Sequence, residues 1–247
     1  MIKNKSMNFV FKSESHLGDC LLHAHFMRKV VEKNPNITFD FHLIDKHWNQ
    51  TKEYIEDIPQ IKCLNYDDCP DNHLRGWVGQ FGIPPLPCPL DGLRLYSYKR
   101  LSNIMGIECP FKNEYDLLYD NAIIKKKSKE LPKFDVLLIN SIPLSNQIDY
   151  KEDDYKDFCK KILDKGKTVV TSNKISNVPC TTDYNLSVMG IGSLSINCDI
   201  ITGIVTGSIQ CCLNVWNREK KFYCIDRSHT FNMSNIKMIP RIDVLKP

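Results

Sequence analysis

Residues 8–44 of the chain have the sequence NFVFKSESHLGDCLLHAHFMRKVVEKNPNITFDFHLI, and this stretch decides the fold. An apolar run at residues 8–11 and a polar turn precede residues 19–33, whose apolar side chains recur at helical spacing. Apolar and polar residues then alternate over residues 38–44, which is the pattern of a strand. A strand, a helix and a second strand in such a short stretch predict a βαβ unit, and therefore a parallel sheet.

The second half of the chain repeats this pattern. Residues 134–140 form a continuous apolar run, as expected of a strand covered on both faces, and residues 153–165 form an amphipathic helix. The basic stretch at residues 125–133 is interpreted as a solvated linker rather than as a phosphate-binding patch. We therefore predict an α/β protein of two Rossmann-like domains, residues 1–124 and 134–247.

Composition excludes several classes of protein. The 247 residues are 42% hydrophobic and 25% charged, which excludes a disordered or fibrous chain. The net charge of +4 is too small to predict a nucleic-acid partner. No apolar run approaches the 18 or so residues of a membrane span and no secretory signal is evident, so we expect a cytoplasmic protein without a transmembrane segment.

Cysteines are numerous but irregularly spaced. There are 11, an odd number, and none forms a C-x-x-C pair. Structural zinc sites need closely spaced ligand pairs, so no metal site is predicted. The cysteines are interpreted as reduced, mostly buried side chains.

Glycines mark two strand-to-helix turns. Gly18 lies between the first strand and its helix, and Gly203 and Gly207 flank a turn near the end of the chain. Such a turn is either structural or lets backbone N–H groups approach a phosphate. Neither turn has the spacing of a dinucleotide-binding fingerprint or a P-loop, which disfavours oxidoreductases and P-loop NTPases.

Asp19 follows Gly18 at the start of the first helix. One interpretation is an N-cap, and the other is a general base, because the helical wheel places Asp19 on the apolar arc. Of the neighbouring histidines, His16 lies in the turn and is the better candidate for an active-site contact. His23 is interpreted as a core histidine.

Two segments resemble a known family. The run His16-Leu17-Gly18-Asp19-Cys20-Leu21-Leu22 resembles the G-D opening of heptosyltransferase-like GT-B glycosyltransferases, glycosyltransferase family 9 and its relatives. Residues 191–203 and the following Val205-Thr206-Gly207-Ser208 are similar to the family's segment ending in a D-T-G-x-x-H turn. The resemblance implies a GT-B-like fold, in which two parallel sheets face each other across a cleft.

The same resemblance implies a glycosyltransferase activity. The expected donor is a nucleotide-diphosphate sugar bound by the C-terminal half, and the acceptor is a glycan or glycoconjugate facing the N-terminal half. Transfer would proceed with inversion and without a metal or other cofactor. Asp19 stands at the position of the family's base, and His16 is the second catalytic candidate.

The resemblance and the predicted strand ends together nominate a donor site. Asn140, Ser141 and Gln147 occupy the loop in which relatives contact the donor phosphate, although they are equally well interpreted as turn formers. Ser172 and Lys174 follow the next strand, where the ribose or base would lie. The predicted donor-binding residues are Gly18, Asn140, Ser141, Gln147, Ser172, Lys174, Thr206, Gly207 and Ser208.

The chain departs from the family at two positions, and it is shorter than usual members. Val205 and Gln210 stand where the family has Asp and His. Binding of the diphosphate would then depend on backbone N–H groups and on the hydroxyls of Thr206 and Ser208. These departures leave two alternatives open, a nucleotide-sugar epimerase and a non-catalytic nucleotide- or glycan-binding protein.

A long irregular stretch at residues 65–91 is the predicted acceptor region. It is rich in Pro and Gly and carries Arg75 and Trp77. An aromatic face suits stacking on a sugar ring, and the alternative is that Trp77 anchors the stretch to the core.

Overall fold

The computed structural model describes residues 6–13, 16–76, 78–81, 90–142, 151–204, 206–225 and 242–245. The chain divides into two compact units, Met1–Leu117 and Leu118–Pro247. This division precedes the stretch predicted as a linker, so residues 118–133 belong to the second unit.

The first unit is built on a four-stranded parallel sheet with the order β3-β2-β1-β4. Its strands are β1 (Met7–Ser13), β2 (Ile37–Leu43), β3 (Ile61–Asn65) and β4 (Leu74–Arg75). Met7 pairs with Ile37 and the parallel register continues to Ser13 opposite Leu43. The predicted βαβ unit is confirmed.

Three helices belong to this unit: α1 (Leu17–Lys33), α2 (Asp45–Ile55) and α3 (Leu90–Met105). Helix α1 is buried along most of its length, because its apolar side chains recur at helical spacing. It ends at Asn34, whose Nδ2 donates to the Val30 carbonyl at 3.0 Å. The Asn34 backbone N–H also donates to the Val30 and Val31 carbonyls, so both the backbone and the side chain of Asn34 cap the end of the helix.

The second unit has a five-stranded parallel sheet with the order β6-β5-β7-β8-β9. Its strands are β5 (Phe134–Ile139), β6 (Val169–Thr171), β7 (Cys198–Gly203), β8 (Lys221–Ile225) and β9 (Ile242–Leu245). Leu137 and Leu138 of β5 are fully buried, as expected of a strand between two others. Two α/β units with parallel sheets confirm the predicted fold class.

The helices of the second unit are α4 (Ala122–Ser128), α5 (Glu152–Leu163) and α6 (Val188–Ser195). Helix α4 covers part of the predicted basic linker, residues 125–133, so the linker prediction is wrong there. Asn121 caps this helix by accepting from Ile123 N at 2.8 Å, and Ile124 is fully buried. Asn197 donates to the carbonyls of Ser128 and Leu131, which ties the end of α4 to the unit.

Two details differ from the sequence analysis because they depend on short-range capping. The strand-to-helix turn predicted at Gly203 and Gly207 leads into two 3₁₀ helices, Gly207–Cys212 and Val215–Asn217, and not into an α-helix. Asn214 separates them, since its side chain accepts from Asn217 N at 3.1 Å. Within residues 65–91, predicted as irregular, lie the 3₁₀ helices Tyr66–Asp68 and Val78–Phe81 and strand β4.

Three observations concern cysteines, metals and membranes. None of the nine described cysteines lies in a disulfide, and six of them are buried. No group of three or more His, Cys, Asp or Glu side chains within the described residues is arranged to hold a metal ion. Among the described helices, none combines the length and apolarity needed to cross a bilayer.

Candidate active site

The carboxyl ends of β5, β6 and β7 carry a cluster of hydroxyl groups. Ser141 follows β5, Ser172 follows β6 and Ser208 follows β7. The Ser141 Oγ lies 3.0 Å from the Ser172 Oγ and donates to the Ser208 Oγ at 2.8 Å. Because β5 lies between β6 and β7, the loops after all three strands meet at one edge of the sheet. The structure therefore brings together three of the predicted donor-binding residues, which we call the serine cluster.

Asn140 holds two of these loops together. Its backbone N–H donates to the Ser172 Oγ at 2.9 Å, and its Oδ1 accepts from Asn173 N at 2.8 Å. Its Nδ2 donates to the Asn173 carbonyl at 3.1 Å, and the residue is 1% exposed. In the structure, the Asn140 amide positions the loops after β5 and β6, and its predicted contact with the donor stays a prediction.

Gly203 allows β7 to approach β5 closely at this edge. Its φ is +128°, a conformation that side-chain-bearing residues rarely adopt, and a Cβ atom there would collide with the Ile139 carbonyl. That carbonyl accepts from Ile204 N at 2.9 Å. The glycine therefore sets the path of the chain into the turn that carries Thr206 and Ser208.

Thr206, Gly207 and Ser208 begin the 3₁₀ helix Gly207–Cys212, with Thr206 at the N-cap position. All three residues are half-buried. The Thr206 Oγ1 is buried and has no hydrogen-bond partner among the described residues, and the same is true of the Gln210 Oε1. Buried hydroxyls are normally paired, so the Thr206 hydroxyl is an exception to the usual pattern in this turn.

Lys174, which was predicted to bind the sugar donor, forms an ion pair within the protein. Its Nζ lies 2.9 and 2.7 Å from the two carboxylate oxygens of Asp183. Asp183 also accepts from Cys180 N at 2.9 Å. The ion pair is largely exposed and therefore weak, so Lys174 contacts Asp183 and not the serine cluster.

Three residues of interest, Gln147, Trp77 and Val205, lie outside the described residues. Gly18, another predicted donor-binding residue, belongs to the first unit, where it lies in the first turn of α1.

Asp19 lies in the first turn of α1 and is half-buried. The N-cap position belongs to His16, which is exposed, so the interpretation of Asp19 as the N-cap is wrong. Burial raises the pKa of the Asp19 carboxyl above its ordinary value, while Arg94 and His16 act in the opposite direction. A carboxylate with a raised pKa is a better proton acceptor than an exposed one.

Arg94, on α3, was missed by the sequence analysis. It is 5% exposed, and its charge acts on the Asp19 carboxyl, whose pKa it lowers against the larger effect of burial.

His23 is a core residue, as expected. It is 1% exposed and packs edge-on against Tyr98, with ring centroids 5.8 Å apart. Burial lowers the pKa of His23 to about 4, against a smaller opposing effect of the Gly76 backbone, so the ring is neutral near pH 7. The side chain is thus a packing element of the first unit.

Gly76 and Ser13 join the ends of β4 and β1 beneath this histidine. Gly76 N donates to the Lys12 carbonyl at 2.8 Å, and the Ser13 Oγ donates to the Gly76 carbonyl at 3.4 Å. Arg75, a predicted acceptor residue, is exposed and lies on β4, where it pairs with Lys12 of β1.

Comparison with solved structures places this geometry in context. A glycosyl transferase of family 9 from Veillonella parvula is 10% identical, and the match covers 99% of this chain and 88% of that chain with a TM-score of 0.59. E. coli ADP-heptose lps heptosyltransferase II is 10% identical over 98% and 90% of the two chains, with a TM-score of 0.54. E. coli heptosyltransferase WaaC with ADP-2-deoxy-2-fluoro heptose is 9% identical over 97% and 93%, with a TM-score of 0.54.

No protein-family model and no curated protein matches the chain by sequence. A structural match at 9–10% sequence identity shows the fold alone. It confirms the α/β fold that the resemblance of the two sequence segments predicted. The chain has the α/β fold of the heptosyltransferase and glycosyltransferase family 9 structures.

Proposed function

We propose that this protein is a glycosyltransferase that moves a sugar from a nucleotide-diphosphate sugar to a hydroxyl of a glycan or glycoconjugate acceptor. The observation that carries the proposal is the serine cluster at the carboxyl edge of the second sheet, in a fold similar to that of heptosyltransferases. Ligands of open α/β sheets bind at this edge.

The donor is proposed to bind the second unit. One similar structure is described with ADP and another with ADP-2-deoxy-2-fluoro heptose, which supports a nucleotide-diphosphate sugar as the donor class. The hydroxyls of Ser141, Thr206 and Ser208 can donate to phosphate oxygens, and hydrogen bonds to charged oxygens are stronger than neutral ones. We propose that these groups, together with the backbone at Gly207, hold the diphosphate without a divalent cation.

Asp19 is proposed as the general base. The acceptor hydroxyl would give its proton to the Asp19 carboxylate while its oxygen forms a bond to the anomeric carbon of the sugar. The bond from that carbon to the diphosphate oxygen breaks, and the electron pair leaves with the nucleoside diphosphate. Attack from the face opposite the leaving group inverts the anomeric carbon. His16 is the second candidate for this role.

Incubation with a donor panel tests the proposal. ADP-, UDP- and GDP-sugars are incubated with the protein in excess EDTA and without acceptor, and nucleoside diphosphate release and the sugar product are followed. Slow release of the diphosphate from one donor is the expected result, because transferases pass the sugar to water at a low rate. Conversion to an isomeric nucleotide sugar would instead indicate an epimerase, and binding without turnover would indicate a non-catalytic protein.

A further inference from the structure

A second concave site lies in the first unit, at the carboxyl ends of β2 and β3. This cavity of about 390 Å³ is lined by Asp45, Trp48, Asn49 and Asn65, and we call it the Trp48 groove. Helix α2 begins at Asp45, two residues after β2 ends, and Asn65 is the last residue of β3. Asn65 is the first residue of the predicted acceptor region, and the sequence analysis named none of the other three.

The groove combines one aromatic surface with several polar groups. The Trp48 side chain is half-buried, whereas Asp45, Asn49 and Asn65 are exposed. The indole offers a flat apolar face, and the carboxylate and amides offer hydrogen-bond donors and acceptors. A pyranose ring has the complementary chemistry, because its C–H face is apolar and its rim carries hydroxyls.

Asn65 is held in place by its neighbours. Its Oδ1 accepts from Asp67 N at 3.0 Å, and its backbone carbonyl accepts from the His42 Nδ1 at 2.7 Å. The first contact restrains the side-chain amide of Asn65, and the second restrains its backbone at the rim of the groove. A fixed polar group loses little conformational freedom when it binds.

The charges around the groove disfavour an anionic ligand. Asp45 is part of the lining, and Asp67 and Asp68 lie two and three residues after Asn65, in the 3₁₀ helix Tyr66–Asp68. Lys46 is next to Asp45 in the chain, and the Lys12 Nζ lies 4.0 Å from the centroid of the Tyr66 ring, so these three carboxylates outnumber the two nearby cations. A phosphorylated or carboxylated sugar would meet like charges here, whereas a neutral sugar would not.

The groove shares an edge with Asp19. Strand β2 lies between β1 and β3, and α1, which carries Asp19, begins shortly after β1. Neighbouring strands are about 4.8 Å apart, so the groove lies roughly 5–10 Å along this edge from the end of β1. From these observations we infer that the Trp48 groove binds a neutral sugar unit of the acceptor glycan. This inference rests on the proposed function.

A glycan array and calorimetry test the inference on the whole protein without donor. The array carries neutral oligosaccharides and their sialylated or phosphorylated counterparts, and the bound neutral glycan is then titrated into the wild type and variants. We expect the neutral forms to be preferred. Trp48→Ala should weaken binding about tenfold or more, as the loss of a central aromatic contact does. Trp48→Phe should retain most of the affinity, and Asp45→Asn should reduce the discrimination against anionic forms.

Tyr115→Ala is the matched control, since Tyr115 is an exposed aromatic residue of the same unit and is 49% exposed. Failure of every neutral glycan to bind the wild type would overturn the inference, as would equal affinities of a folded Trp48→Ala variant and the Tyr115→Ala control. The outcome is separable from the proposed function. Donor hydrolysis without glycan binding would refute only the inference that the Trp48 groove binds a sugar. Glycan binding without donor hydrolysis would refute only the proposed transferase activity.

Discussion

The Ser141 Oγ donates a hydrogen bond of 2.8 Å to the Ser208 Oγ, joining the loop after β5 to the turn after β7. The two residues are 67 positions apart in the chain, so only the fold brings them together. Ser172 completes the contact from the loop after β6. A ligand that replaces one of these hydrogen bonds therefore affects three loops at once.

Gly203 shapes this edge, and its replacement should be costly. Gly203→Ala forces a side chain into a φ of +128° and against the Ile139 carbonyl, and we expect a loss of more than about 3 kcal/mol in the free energy of unfolding. Urea denaturation measures the loss.

Gly166→Ala is the control for backbone strain alone. Gly166 also has a positive φ, +70°, but a Cβ there would have no neighbour within 4 Å. This variant should lose only about 1–2 kcal/mol. Equal losses in the two variants would show that the approach of β7 to β5 does not depend on the glycine.

Lys220 should stabilise the second unit by capping α6. Its Nζ donates to the carbonyls of Ser195, Ile196 and Cys198 at 2.8, 2.5 and 2.7 Å. Lys220→Met keeps the apolar part of the side chain but leaves these carbonyls without their charged donor. We expect a destabilisation of about 2–3 kcal/mol by thermal or chemical denaturation.

Lys221→Met is the neighbouring control. Lys221 is exposed, so its replacement should change stability by less than about 0.5 kcal/mol. A Lys220 variant as stable as this control would mean that water caps the helix equally well.

His23 should make folding sensitive to acid. Its pKa is about 4 in the folded protein and ordinarily 6.5, so the unfolded chain takes up the proton first as the pH falls. The stability from the neutral ring is present above pH 6.5 and decreases by about 3 kcal/mol as the pH falls to about 4. The free energy of unfolding is measured for the wild type and for His23→Met across this pH range. Between pH 6.5 and pH 4 the wild type should lose about 3 kcal/mol more than the variant. Parallel curves would contradict the assignment.

Asp19→Asn tests the proposed base. Asparagine has the same shape but cannot accept a proton near pH 7, so sugar transfer should fall about 100-fold or more in kcat while donor affinity stays near normal. Steady-state kinetics with the donor found in the hydrolysis panel measures this. Transfer near the wild-type rate would leave His16 as the first alternative.

The same variant should not lose stability. The raised pKa of Asp19 means that the folded protein favours the neutral form, so this group stabilises the fold below pH 3.8 and loses that contribution as the pH rises through its folded pKa. Asp19→Asn should therefore be at least as stable as wild type at pH 7, with the advantage vanishing in acid. Destabilisation at pH 7 would show that the carboxylate has a structural role.

Sequence periodicity predicted the parallel sheets and helices α1 and α5, because buried strands and amphipathic helices leave a regular apolar pattern. The predicted strand ends and the family resemblance together nominated Ser141, Ser172 and Ser208, which the parallel topology brings together. The role of Asn140 in positioning the loops depends on side-chain hydrogen bonds that no periodicity records. Helix α4 was mistaken for a linker because its three consecutive lysines suggest a solvated stretch, whereas Ile124 and Ser128 are buried.

The Trp48 groove was missed for a related reason. Trp48 and Asn65 belong to separate elements, and they line one cavity only because β2 and β3 are neighbours in the sheet. The sequence shows only a single Trp in an amphipathic helix, and this pattern does not reveal that Trp48 lines a cavity with Asn65.

Calorimetric titration of ADP, UDP and GDP in excess EDTA tests the central claim most directly. It compares the wild type with the double variant Ser141→Ala/Ser208→Ala and with Ser128→Ala, whose hydroxyl donates to the Lys125 carbonyl in α4. We predict that at least one nucleoside diphosphate binds the wild type and the Ser128 variant equally. The double variant should bind it about 10- to 100-fold more weakly, as expected from the loss of two hydrogen bonds to a charged group. Absence of binding in EDTA, or unchanged affinity in the double variant, would contradict the account.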